Sequence, residues 1–430
     1  MKNNCIFTIC SKNYLAQALT LQESAKKHEL EIDFYIFLAD NKTDEIEDIE
    51  VELLEESWIP KWKEMAFKYD VIEFNTSIKP FCIKKLFGKG YQKVVYLDPD
   101  MYVTNKLDYI WDNLDKYSII LTPHMLDMEL GEEGVLPETD LLMCGIYNLG
   151  FAALANNKVG NKIVDWWCKK LEKDCYNSPI EGLFVDQKWM VFIPGYYPQE
   201  TLVSTNPGIN IGYWNLHERE LCVKDRKYYI KDKVNGEEYP LLIYHFSGFK
   251  PTQDTMVSAH QPQFNIDLYP SFIPIIKEYK ELEMKNSYER FTKLHYSFNE
   301  FSNGILVTGY HRRLYRSCLK EYEGQDPFST DGGLYQNLKK SNLLVERRNQ
   351  AIKAYGGRQM NQSARAKYMR LFEKVAKPFK RLIGAERYFS LLAHGRTLFS
   401  LENQTFLMQD MQKVDKNEFY TERIKREHGE

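Results

Sequence analysis

The run Lys93–Val103, KVVYLDPDMYV, constrains this chain more than any other stretch. Val94, Val95, Tyr96 and Leu97 form a short apolar, β-rich block, the pattern of a strand buried on both faces of a parallel sheet. Two carboxylates one residue apart, Asp98 and Asp100, follow at once, with Pro99 between them. In open α/β sheets ligands bind beyond the carboxyl ends of the strands, so these acids stand where chemistry is usually done. Two hard oxygen donors suit Mn²⁺ or Mg²⁺, ions that also hold substrate phosphates. The same three residues also read as a solvated Asp-Pro-Asp turn closing a strand.

The start of the chain supplies the neighbours such a strand needs. Cys5–Cys10 reads as a first strand and Ser11-Lys12-Asn13 as a polar break. A helix from about Tyr14 to His28 carries Leu15, Ala18, Leu19 and Leu21 on one side, and Asp33–Ala39 is a second strand. That order is a βαβ unit, which predicts an α/β fold with a Rossmann-like first domain. Its first turn lacks G-x-G-x-x-G, which weighs against dinucleotide redox chemistry, and the absence of G-x-x-x-x-G-K-[ST] and H-E-x-x-H excludes a P-loop and a zincin.

Further along, Asp44–Glu56 reads as a solvated acidic excursion and Val71–Phe74 as a third strand. Lys79–Leu86 reads as a short helix leading into the central strand. Ser118–Thr122 and Gly145–Leu154 are expected strands, the latter with small residues that let something approach its backbone. Gly160–Glu172 has helical spacing, Val185–Phe192 reads as a short helix beginning Asp186-Gln187, and Leu241–Phe246 is a last strand ending at His245. We expect residues 1–250 to form the catalytic domain and 251–345 an accessory lobe packed on it. Residues 346–430 would form a basic, mostly helical extension.

Charge separates that extension from the rest. From Val345 to Glu430 there are 18 Lys/Arg and 10 Asp/Glu, so the net charge of −3 divides into +8 for the tail and −11 before it. An acidic body carries no nucleic-acid footprint, and the tail points to an anionic partner of its own. The eight cysteines are scattered, without C-x-x-C, and read as buried free thiols of a reducing compartment. The first residues lack a signal-peptide core and no apolar run approaches a membrane span, so a cytoplasmic or peripheral protein is expected.

Five segments in order carry a resemblance: YLDPDMYV (96–103), YNLGFAAL (147–154), DQKW (186–189), NPGINIGYWNL (206–216) and HFSGFKP (245–251). Together they resemble sugar-nucleotide-dependent glycosyltransferases of the GT-A type. The motif order is close to family 8 and to related bacterial polysaccharide enzymes, over roughly residues 4 to 251. The resemblance implies a metal-dependent, retaining transfer from a nucleotide-diphosphate sugar, a UDP-sugar favoured. The acceptor would be a glycan or a lipid-linked acceptor in cell-surface polysaccharide synthesis.

It further implies Asp98, Asp100 and His245 as ligands of Mn²⁺ (or Mg²⁺), with a core histidine as the other reading of His245. Thr8, Cys10 and Asn13 would face the nucleotide. Lys79 or Lys84 would reach sugar or diphosphate, with a solvated surface role as the other reading of each. Gly248 and Lys250 match the phosphate-binding H-x-x-G-x-x-K-P pattern, although the spacing here is shorter. Asn148, Asp186 and Gln187 match positions around donor sugar and acceptor, with a helix N-cap as the other reading of Asp186. His124, His217 and Arg219 are further candidates for acceptor or phosphate contacts.

Two other functions fit an acidic α/β site. A nucleotidyltransferase would carry a Gly- and Lys/Arg-rich loop after the first strand, and TICSKNYLAQAL has none. A non-catalytic carbohydrate-binding protein on the same fold predicts loss of a metal ligand, and all three are present. In the tail, Tyr368, Leu371, Phe372, Val375, Phe379, Leu382 and Ile383 recur at steps of three or four. Lys367, Arg370, Lys374, Lys377, Lys380 and Arg381 fill much of the remainder. This is a basic amphipathic helix that Pro378 should kink or split. It would lie either in an anionic membrane interface or with its apolar stripe against its own protein.

Overall fold

A computed structural model describes residues 3–127, 136–253, 257–259, 266–345, 362–398 and 401–408. The chain falls into two compact units, one of residues 1–62 with 71–297, the other of residues 63–70 with 298–430. The expected boundary at 250 is thus displaced to 297. The helix Ile273–Lys285 joins the first unit because Phe272, Ile275, Ile276 and Tyr279 pack with Tyr102, Tyr244, Phe246 and Phe249 in one apolar cluster.

The first unit is α/β, as expected. In chain order its strands are Asn4–Cys10 (β1), Asp33–Leu38 (β2), Glu52–Leu53 (β3), Lys93–Leu97 (β4), Met101–Val103 (β5), Ile119–Leu121 (β6) and Phe151–Ala155 (β7). There follow Asn177–Ser178 (β8), Leu183–Phe184 (β9), Thr201–Val203 (β10), Arg219–Lys224 (β11), Lys227–Asp232 (β12), Glu238–Pro240 (β13) and Ile243–His245 (β14). Seven of them form the central sheet in the order β10-β6-β7-β4-β1-β2-β3. All neighbours are parallel except β7, which runs against β4 and β6. Four residues of β4, Val94 to Leu97, are buried, which is what its unbroken apolar run requires. Under this sheet Ile6, Val95, Leu97, Ile120 and Ala153 meet Leu21 and Ala25 of the helix Leu15–His28.

Several local expectations change. Val71–Ser77 is a helix, not a strand: its buried members Glu73, Phe74 and Ser77 fall at helical steps, and Asn75 and Thr76 bond to the carbonyls four residues back. Residues 145–150 are a turn rather than the start of a strand, because Gly145 sits at φ +106°. The element after Asp186 is a 3₁₀ turn, Gln187–Phe192. The acidic excursion buries Ile46 and contributes the edge strand β3. All eight cysteines are free, and six are buried, as expected.

In the second unit the Arg312 guanidinium is buried and donates to the carbonyls of Ala66, Phe67 and Tyr69 at 2.7–2.8 Å. It thereby satisfies the open end of the helix Trp62–Lys68. Around it Phe67, Phe301, Leu314, Tyr315, Leu334 and Leu338 form a core of their own. The tail helix Gln362–Ile383 runs through Pro378 and stops at Gly384, in the left-handed region, whose N–H bonds Lys380 O. A second helix, Ala385–Leu398, follows. No helix among the described residues is long and apolar enough to cross a membrane.

Candidate functional site

The parallel strands β4, β1, β6 and β10 end at one edge of the sheet, and antiparallel β7 begins there. Asp98 and Asp100 leave β4 at this edge, and β5 then turns to pair antiparallel with β14, setting His245 opposite Met101. That pairing delivers the histidine to the acids across more than a hundred residues of chain. His245 Nε2 lies 3.2 Å from Asp100 Oδ1 and 3.8 Å from Asp98 Oδ2. One ligand atom from each of the three residues falls within 4.8 Å of the others.

The imidazole is held from behind. Asn210 Nδ2 donates to Thr122 Oγ1 at 2.8 Å and to Asn148 Oδ1 at 3.1 Å, which leaves Asn210 Oδ1 to accept from His245 Nδ1 at 3.2 Å. With Nδ1 donating to Asn210, His245 presents Nε2 to the two carboxylates, the nitrogen that a bound cation would take in place of a proton. Asn148 is fixed in turn: Oδ1 accepts from Gly150 N–H at 3.0 Å, and Nδ2 donates to His124 Nε2 at 3.2 Å. His124 donates from Nδ1 to Ile146 O, and burial pushes its pKa down to about 4, so it stays neutral. Trp214 stands edge-on to both His245 and His124.

Gly150 makes the approach possible. A Cβ there would lie 2.8 Å from His245 Nδ1 and closer still to Cε1. The small residues of this stretch make room for the histidine ring.

On the other side of the acids is a buried ion pair. Lys79 Nζ, on the helix Lys79–Gly88, lies 2.5 Å from Asp186 Oδ2 and 2.7 Å from Leu149 O, and sits 4.1 Å from the centroid of the Tyr96 ring. The Tyr96 hydroxyl donates to Asp98 Oδ1. Burial raises the pKa of the Asp98 carboxyl, against the pull of Lys79 and His245. Burial also raises that of Asp186, with Lys79 opposing. For His245, burial disfavours the cation, but Asp100 and Asp98 outweigh it and hold its pKa above the ordinary value. Two acids and an imidazole that all turn toward one point fit a divalent cation: hard oxygens, one borderline nitrogen, and an outer layer that fixes each of them.

The other expected site residues divide. Gln187 accepts from Leu149 N–H at 3.3 Å and donates to Cys144 O at 3.1 Å, so with Asn148 it braces the turn under His245. Asp186 and Lys79 are 2% and 1% exposed and bonded to each other, so neither reaches out to a sugar or a diphosphate. Asp186 makes no cap bond to its turn. Thr8 and Cys10 are both buried; Cys10 packs with Leu15, Ala18, Ile36 and Leu38, and Thr8 Oγ1 has no hydrogen-bond partner among the described residues. β1 is buried on both faces, Phe7 and Ile9 as fully as Thr8 and Cys10. Asn13 is half-buried and accepts from Ser11 Oγ. Gly248 turns the chain at φ +72° and Lys250 is exposed beyond it. Lys84 pairs with Asp165 on the surface. Arg219 is buried against Glu218 and the carbonyls of Pro207 and Asn215, a structural arrangement, and His217 stands 3.9 Å from Glu218.

Sequence reasoning missed Asn210, Trp214, Tyr96 and Glu283. The first two lie inside NPGINIGYWNL, so the segment was visible and the roles were not. Glu283 comes from the helix Ile273–Lys285; burial first and the Asp100 charge second push its carboxyl up to about 8.

No protein-family model matches the chain. It is similar to the uncharacterized protein YfnF of Bacillus subtilis (strain 168), 24% identical over 307 residues that cover 69% of this chain and 96% of that one. It is also similar to the uncharacterized protein YfnD of the same organism, 22% identical over 276 residues, 61% and 81% of the two chains. Among solved structures, the galactosyltransferase LgtC in complex with donor and acceptor sugar analogs is 13% identical. That match covers 66% of this chain and 95% of that one, with a TM-score of 0.39. The bifunctional WbbM glycosyltransferase is 15% identical over 67% and 52% of the chains, TM-score 0.40. The glycosyltransferase GlyE of Streptococcus pneumoniae TIGR4 is 15% identical over 70% and 67%, TM-score 0.36.

Proposed function

We propose that this protein is a metal-dependent glycosyltransferase of the GT-A type. It moves a sugar from a nucleotide-diphosphate donor, a UDP-sugar favoured, to a glycan or lipid-linked acceptor in cell-surface polysaccharide synthesis. The observation that carries the reading is the corner formed by Asp98, Asp100 and His245 at the carboxyl edge of the sheet. Mn²⁺ suits this mixed donor set better than Mg²⁺. Bound there, the cation would neutralise the diphosphate as charge grows on the leaving group.

The protein's own part is positional. Asn210 keeps His245 in the ligating tautomer, and Asn148 and Gln187 brace the turn against which the ring is pressed. Lys79 offsets the charge of Asp186 and, across the Tyr96 ring, that of Asp98. Asp186 is thereby occupied and is not a free base for an acceptor hydroxyl, which favours a retaining transfer. Hydrolysis of UDP-, GDP-, CMP- and dTDP-sugars with Mn²⁺ tests the reading. At least one should be cleaved, with anomeric configuration retained in the NMR spectrum. Undiminished cleavage in excess EDTA, or none with any donor, would refute it.

The tail gives the enzyme a surface to work on. Leu371, Phe372, Val375, Leu382 and Phe389 are 51–83% exposed, beside exposed Arg370, Lys374, Lys377, Lys380 and Arg381. An apolar stripe left open, among the described residues, beside a basic face supports seating at an anionic inner-membrane surface over packing on the protein itself. Full-length protein should co-sediment with anionic vesicles at low salt, and a chain ending at Asn349 should not. Equal partitioning would remove the membrane from the proposal.

A further inference from the structure

Four aromatic rings meet on the surface of the first unit. The helix Lys158–Asp174 buries Trp167 completely and leaves its neighbour Trp166 half-buried. Trp166 stands edge-on to Trp189, in the turn Gln187–Phe192, and to Tyr196, in the short helix that follows, with centroids 6.1 and 6.5 Å away. Phe192 stacks on Tyr196 with their planes 11° apart, and these two rings are 45% and 60% exposed. The Trp189 Nε1–H donates to Asp174 O at 3.1 Å, which fixes that indole. The rings thus hold one another in a preset arrangement while two of them face water. Charge beside them is of one sign. Steps of three and four along the helix bring Lys162, Lys169, Lys170 and Lys173 to the side that carries Trp166. Lys170 Nζ lies 5.0 Å from the centroid of the Trp189 ring, so this side faces the rings. Lys162, Lys169 and Lys173 are exposed, and among the described residues none of the four lysines forms an ion pair. Asp165, which lies between them in sequence, is taken by Lys84 at 2.6 Å.

Open rings beside unpaired cations call for a partner with flat apolar faces and negative charge. A protein is a poor match, because lysine is depleted from the cores of protein interfaces. A bilayer takes rings that project into it, whereas the two indoles here are half-buried and locked against their neighbours. We infer that this surface binds an acidic glycan, with pyranose faces on the exposed rings and acid groups on the lysines. The turn Gln187–Phe192 ties it to the metal corner: Gln187 braces the backbone under His245, and Trp189 lies two residues further on. A chain seated on the rings is held close to that corner, which makes the acceptor an acidic polysaccharide. That last step rests on the glycosyltransferase reading; the binding itself does not.

The test is calorimetric titration of oligogalacturonates, their methyl esters and polyglutamate into the full chain, in EDTA and without nucleotide. Hyaluronan oligosaccharides serve as a second acidic glycan. Wild type should bind the acidic glycans, and should bind more weakly both the uncharged esters and polyglutamate, which has charge but no sugar rings. Tyr196→Ala and Phe192→Ala should each weaken glycan binding roughly three- to tenfold, the scale of one aromatic contact. Their melting temperatures should stay close to wild type, since both rings already face water. Lys169→Gln combined with Lys173→Gln should weaken binding and flatten its dependence on salt. Donor hydrolysis with Mn²⁺ should be unchanged in all of these variants. Equal affinity for polyglutamate and glycan, or ring variants that bind as wild type does, would reduce the surface to a bare cation patch and overturn the inference. Failure of wild type to bind either acidic glycan would overturn it as well. Loss of sedimentation with phosphatidylglycerol vesicles in Tyr196→Ala, with glycan affinity retained, would assign the surface to the membrane instead. Glycan binding by a protein that hydrolyses no sugar nucleotide would uphold the surface and remove the acceptor role together with the transferase reading.

Discussion

Gly150→Ala tests the placement of His245 with a single methyl group. Gly150 is outside the left-handed region, so alanine meets no backbone strain there and the effect is purely one of space. The new Cβ would stand 2.8 Å from both His245 Nδ1 and Asn148 Oδ1, against an ordinary contact of about 3.4 Å or more, so the ring or the asparagine has to give. Neither is free to. His245 is 4% exposed, with Trp214 edge-on to it, and Asn148 is bonded to Asn210 and His124. The ring therefore moves by about half an ångström or more, whereas metal–ligand distances tolerate only about 0.2 Å. We expect Mn²⁺ affinity to fall roughly 10–100-fold, the loss seen when a ligand's support is disturbed, with about 1–3 kcal/mol of lost stability from overpacking. Electron paramagnetic resonance of free Mn²⁺ reads the first and urea denaturation the second. Wild-type Mn²⁺ affinity in a folded Gly150→Ala protein would refute the idea that His245 ligates from this position.

Three further outcomes follow from the same network. Asp100→Asn should abolish Mn²⁺-dependent nucleotide binding and donor cleavage while leaving the melting temperature close to wild type, because it removes an anionic ligand and little packing; retained cleavage would count against the corner. Lys79→Met should cost about 3–5 kcal/mol in urea denaturation by stranding Asp186, and adding Asp186→Leu should recover part of it; additive losses would mean the two groups do not depend on each other. His124 titrates near 4 when folded against 6.5 unfolded, so the unfolded chain binds the extra proton between those values. Its contribution, about 3 kcal/mol, is complete above pH 6.5 and lost as pH falls toward 4. The stability difference between wild type and His124→Asn should therefore shrink over that window, and a pH-independent difference would contradict a buried neutral imidazole.

The sequence by itself determined the parts that depend on neighbours along the chain. The apolar block 94–97, the acids just past it, the βαβ start and the small residues of 147–154 are legible because strand burial and turn position follow from local spacing. Asp98, Asp100 and His245 could be nominated in the same way, each at the end of a strand. What only the tertiary structure decided is what faces what. Antiparallel pairing of β5 with β14 brings His245 to the acids, and no spacing rule predicts a pairing between residues so far apart. The same long-range packing buries Thr8 and Cys10, which a strand pattern leaves equally free to face a ligand. It also joins Lys79 to Asp186, two charges that read as surface or substrate contacts until their burial makes each the other's partner. Asn210 and Glu283 were illegible for a related reason. An asparagine that orients a histidine and an acid buried beside a tyrosine look ordinary in a sequence, and acquire meaning only from the groups folding sets around them.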